Sequence, residues 1–185
     1  VVGAGVELLR HPQIMGKLSS KDRPVAEAAL ESSEVIADVL MRGEVLAEIP
    51  FIGTAIKICK AADSIRDRAF AIKLIKFVRH LSDISDELKE KLKEKMLSGT
   101  EEAKKVGEVL FFVLEHVTDL DKPSLLAQIF LAYIDGVVTS EELRRLCQAV
   151  DLAFSDDLKQ LLVANNIPEK CEESWMQHLV ASGLS

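Results

Sequence analysis

The densest run of side chains able to do chemistry lies between residues 57 and 80. Lys57, Lys60, Arg66, Arg68, Lys73, Lys76 and Arg79 are opposed there only by Asp63 and Asp67. Seven cations against two anions leave the stretch at +5 in a chain of formal charge −7. A cationic stretch can dock an acidic protein surface, a layer of anionic lipid headgroups or a nucleic-acid backbone. Arg66, Lys73 and His80 recur at intervals of seven and so share one helix face. The competing reading is a solvated face neutralised by acidic helices elsewhere in the fold.

Other candidate chemistry is incomplete. The segment Asp135-Gly136-Val137-Val138-Thr139-Ser140-Glu141-Glu142 matches the second half of a calcium-binding EF-hand loop. The first and third ligand positions then fall on Leu131 and Tyr133, which carry no carboxylate. A turn followed by a helix start accounts for the same residues, with Thr139 and Glu142 in capping-box spacing. His11, His80, His116 and His178 stand apart, with no spacing that sets two of them on one helix face as metal ligands. Cys59, Cys147 and Cys171 are odd in number and far apart, which reads as buried thiols of a reducing compartment. Val1-Val2-Gly3-Ala4-Gly5 opens like a dinucleotide-binding turn, but Leu8 occupies the third glycine position and no strand precedes it. A serine nucleophile elbow and a phosphate-cradling glycine loop are both missing. The sequence therefore assigns no catalytic residue, metal or cofactor.

The elements that must position these residues all read as helices. Of 185 residues, 48% are hydrophobic and 29% charged, a globular balance. Nine Gly and five Pro are too few for a loop-rich β protein of this size. Asp22-Arg23-Pro24 opens a helix over about 24–47, which Ile49-Pro50 ends, because the residue before proline avoids helical geometry. A long amphipathic helix is expected over about 51–81, kinked near Asp67. A short charged helix follows over 86–97, with Ser85 as its N-cap. Ser98 and Glu101, in capping-box spacing, open a helix over about 98–118 that contains the run Val109-Leu110-Phe111-Phe112-Val113-Leu114. A helix apolar around most of its circumference must be wrapped by others, so this one is expected at the centre. Further helices are expected from Pro123 to about 135, from Thr139 to about 154, from Ser155, as N-cap, to about 165, and over 169–181. No apolar run approaches the ~20 residues of a membrane-spanning helix. Residues 1–9 lack a basic start and a cleavage site, and are not read as a signal peptide.

Three stretches resemble known families. The Asp135-Gly136 turn resembles the turn between helices of TerB-like bacterial domains. The ending Trp175-Met176-Gln177-His178-Leu179-Val180-Ala181-Ser182-Gly183-Leu184 is similar to the helix and Gly-Leu entry of winged-helix domains. There, Glu169, Glu172 and Glu173 occupy the start of the would-be recognition helix and repel phosphate. Residues 49–57, 64–70 and 73–74, with Pro50-Phe51-Ile52-Gly53 and Asp67-Arg68-Ala69-Phe70, resemble a widespread group of uncharacterised bacterial helical proteins. That resemblance covers about 49–184 and implies a bacterial cytosolic origin and no named activity.

These observations predict an all-α protein, a bundle of about eight helices around a buried central helix at 98–118. Residues 1–21 are expected as a loose arm on a single helical domain over 22–185, with 155–185 as a helix-turn-helix-like appendage. The expected function is a non-enzymatic protein–protein interaction or regulatory module, docking through the seven cations of residues 57–79. Its partner would be another protein or a second copy of the chain. The alternatives are a peripheral membrane protein that lays helix 51–80 on an anionic surface, and a nucleic-acid-binding regulator. A pI near 5.2 disfavours nucleic acid. No small-molecule substrate is identified. The expected compartment is the cytoplasm, at most peripheral to the membrane.

Overall fold

A computed structural model describes residues 8–11, 44–61, 64–82, 84–164 and 173–184. These residues form α1 (Glu44–Ala47), α2 (Pro50–Lys60), α3 (Ile65–Ser82), α4 (Asp86–Leu97), α5 (Glu101–His116), α6 (Lys122–Ile134), α7 (Ser140–Leu152), α8 (Ser155–Val163) and α9 (Ser174–Ala181). No strand occurs among them, and the protein is an all-α bundle. No described helix is long and apolar enough to cross a membrane. The dinucleotide-like turn, the Asp22-Arg23-Pro24 helix start, Asp63, Cys171, Glu169 and Glu172 lie outside the described residues.

The centre of the bundle is α6 and not the helix expected at 98–118. Every residue of α6 except Leu131 is buried. It packs chiefly against α3 and α7, and also against α4. Helix α5 is instead amphipathic, burying one stripe of Ala103, Val106, Gly107, Leu110 and Leu114. Phe112, in the middle of the apolar run, is 62% exposed. The physical reason lies in the charges. Six charged residues punctuate α5, whereas α6 has only Lys122, in its first turn. Consecutive apolar residues circle a helix, so a short apolar run cannot show that all sides are covered.

Aromatic rings join the layers. Phe51 of α2 meets Phe130 of α6 edge-on at 5.8 Å and Phe77 of α3 at 6.2 Å. Phe77 and Phe130 stack at 6.0 Å. Each such fully buried ring contributes about 1.5–3 kcal/mol through lost apolar surface. Cys59 and Cys147 are buried in the same core.

The expected long helix over 51–81 is two helices, and the break falls before Asp67. Ser64 caps α3: the Asp67 N–H donates to Ser64 Oγ at 3.1 Å, and Ser64 Oγ donates to Asp67 Oδ2 at 2.7 Å. A second expected start also moves. Thr100, not Ser98, caps α5 by accepting from the Ala103 N–H at 3.2 Å. Gly99 adopts a φ of 68°, which stops α4 and delays the next helix. Ser85 caps α4 as expected, accepting from Leu88. Thr139 and Glu142 form the expected reciprocal box at the start of α7. Ser155 is the first residue of α8 and not its cap; that position is Phe154, which makes no side-chain cap bond.

Of the expected N-terminal arm, Leu9 is fully buried in the core and Arg10 donates to the Ala164 carbonyl. Helices α8 and α9 pack on each other. His178 and Asp157 pair between them at 3.1 Å.

Candidate interaction surface

The seven cations divide by place. Lys57 and Lys60 lie exposed in the last turn of α2, and Arg66 and Arg68 lie exposed in the first turn of α3. The four flank the connection between the two helices, a basic corner whose cations do not share one face, since Arg66 and Arg68 lie only two residues apart on α3. Arg66 donates to Glu115 Oε1 at 2.7 Å, although its own side chain is 83% exposed. Arg79 sits thirteen residues along α3 from Arg66, about 20 Å away at the helical rise.

Lys73 and Lys76 do not join that corner. Lys73 is buried, and its ammonium donates to the Glu115 carbonyl at 2.6 Å and the Val117 carbonyl at 2.9 Å. Lys76 donates to the Leu120 carbonyl at 3.0 Å. A helix ends with carbonyls that lack intrahelical partners and with partial negative charge, and a cation suits both. Burial holds the Lys73 ammonium below its ordinary value of 10.5, against the opposing pull of Glu115.

The same device recurs twice. Lys95 of α4 donates to the Tyr133 carbonyl at 2.7 Å at the end of α6, and its ammonium lies 3.8 Å from the centre of the Tyr133 ring. Lys122, at the start of α6, donates to the Asp151 carbonyl at 2.8 Å at the end of α7. Burial lowers the pKa of both lysines. The Tyr133 hydroxyl donates to Glu102 at 3.1 Å, and burial followed by that bond pushes it up to about 12.

A recess lined in part by exposed apolar side chains lies elsewhere in the described surface, between α2 and α5. It encloses about 450 Å³. Pro50, Phe51 and Thr54 of α2 form one wall, and Ala103, Lys104, Gly107, Glu108, Phe111 and Phe112 of α5 form the other. Met96, Leu97 and Gly99 close one end. Gly107 brings the walls together: a Cβ there would stand 3.1 Å from the Phe51 ring. Phe111 turns toward Phe70 of α3, edge-on at 5.6 Å, and Phe112 packs edge-on against Phe111 at 5.7 Å while remaining 62% exposed. Leu97, at the closed end, is 43% exposed.

The sequence reading missed this recess. Its signals were a glycine inside an apolar helix and two adjacent phenylalanines, which cannot both face one core.

Several of the remaining polar groups hold the fold, whereas the buried Gln128 amide of α6 has no hydrogen-bond partner among the described residues. Asp135 accepts from Lys91 at 2.8 Å, Glu141 from Arg145 at 2.7 Å and Glu142 from Thr139 at 2.7 Å, so all three carboxylates of the EF-hand-like segment have protein partners. His116 pairs with Asp151 at 2.8 Å, where the ends of α5 and α7 meet. Burial pushes the Cys59 and Cys147 thiols up to about 12, away from the thiolate that a nucleophile or metal ligand needs. Among the described residues, no three His, Cys, Asp or Glu side chains gather into a possible metal site. No family model, curated protein or solved structure matches the chain.

Proposed function

We propose that the protein is a non-enzymatic interaction module whose contact surface is the α2–α5 groove, with the basic corner of Lys57, Arg66 and Arg68 beside it. The observation that carries this reading is Phe112, held 62% exposed at the mouth of an apolar recess. Exposed aromatic side chains next to concave apolar surface dominate the energetics of protein contacts. Rim cations speed encounter with an acidic partner more than they add affinity.

The membrane and nucleic-acid alternatives draw less support. Residues 70–75, 77 and 78 of α3 are all buried, so that helix has no free apolar face to lay on a bilayer. Lys73 and Lys76, counted as docking cations, spend their charge on carbonyls within the protein.

A photo-activated cross-linking residue at position 97 tests the reading in cells. The expected result is a protein adduct that disappears in a Phe112→Glu background. No adduct, or an adduct indifferent to that change, would remove the groove from the function.

A further inference from the structure

We infer that the occupant of the groove is a second copy of this chain, with α5 of one protomer lying antiparallel to α5 of the other about a two-fold axis. The inference rests on the groove reading above and adds the identity of the partner. A two-fold interface uses the same patch on both subunits, so the patch must carry both a projection and a recess. Here both occur on one face: Phe112, 62% exposed, stands at the rim of the recess it helps to line. A dry cavity of about 150 Å³ accepts a benzene ring. A recess of about 450 Å³ therefore takes a phenyl ring with space left for a second apolar side chain.

Charge fixes the register. Lys104 and Glu108 line the groove one helical turn apart, so they share a face and carry opposite signs. In an antiparallel pair that sets Lys104 opposite the partner's Glu108, symmetry forms the second pair at once. The same register carries Phe112 to the level of the partner's Thr100, beside the small residues Gly99 and Ala103 at the closed end of the recess. The charge pairing thus brings the aromatic ring within the span of the recess. Lys104 is bonded to Glu101 at 2.7 Å, but both side chains are more than half exposed, and exchanging one exposed ion pair for another costs little.

Sedimentation velocity on the whole purified chain tests this over about two decades of micromolar concentration. The expected result is a monomer–dimer equilibrium. Lys104→Glu and Glu108→Lys should each weaken the dimer roughly tenfold or more, and the double variant should restore it. Both positions are exposed, and helicity by circular dichroism confirms that each variant is folded. A chain that is monomeric throughout, a dimer insensitive to either reversal, or a double variant that is not restored would overturn the inference. The cross-link at position 97 separates the two failures. An adduct of unlike mass keeps the groove reading and removes self-pairing, and no adduct removes both.

Discussion

Lys73 sits in the middle of the cationic run by sequence and inside the protein by position. Its type and spacing fit a docking face, yet its ammonium closes the end of α5 through the Glu115 and Val117 carbonyls. Lys73→Met removes two charge-assisted bonds and leaves those carbonyls without their donor. The loss is partly offset because a buried ammonium no longer has to be desolvated. We expect a net destabilisation of about 2 kcal/mol by urea unfolding. Lys57→Met, at an exposed position in the same run, should change stability by no more than about 0.5 kcal/mol. Equal effects at the two sites would contradict the assignment of Lys73 as a cap.

One helix start was readable from two residues three apart that can bond each other reciprocally. They are Thr139 and Glu142, and the box puts a carboxylate under strain from acid. Backbone and hydroxyl bonds from Thr139 lower the Glu142 pKa below 4.5. Its stabilisation is therefore complete above pH 4.5 and fades as the pH falls through the lower, folded-state value. Glu142→Ala should be less stable than wild type near neutrality, and the gap should narrow on acidification below pH 4.5. A gap of constant size in a pH series of urea melts would show that the carboxylate is not the stabilising group.

The all-α class, the span of α4, the Pro50 break and this box were legible in the sequence, because each depends on residues close together in the chain. The break at Ser64 was legible too, in Ser64 and Asp67, but the persistent apolar stripe masked it. The centre of the bundle was misplaced because Phe111 and Phe112 are one apolar unit by composition and two environments in space. The groove was not legible, since it needs Phe51 and Gly107 to meet across more than fifty residues of chain.

At the scale of the whole molecule, charge is used inwardly. The three lysines at the ends of α5, α6 and α7 come from other elements, so each cap is also a tertiary tie. Tyr133 sits at one of these ties and, together with the buried Cys59 and Cys147 thiols, contributes to the alkaline limit. Its folded value of about 12 exceeds the ordinary 10.0, so its contribution is complete below pH 10 and is lost as pH rises through the folded value. Tyr133→Phe gives up the bond to Glu102 and should cost about 1 kcal/mol at neutral pH. Above pH 10 the variant should lose stability less steeply than wild type, as read from thermal midpoints. Parallel decline of the two proteins would place the alkaline limit at another group.

The lysine caps also decide where the chain can change length. Surface connections usually accept extra residues at small cost, because closure entropy grows slowly with loop size. Between α5 and α6 that freedom is withdrawn. Lys73 holds the Val117 carbonyl and Lys76 the Leu120 carbonyl, so an added residue would pull one of them out of reach. The bonds of the 98–100 connection are local: the Ser98 hydroxyl donates to the Lys95 carbonyl and pairs with the Thr100 hydroxyl, which accepts from the Ala103 N–H. Insertions and tags are better accommodated there, at the closed end of the groove, than at the α5–α6 junction.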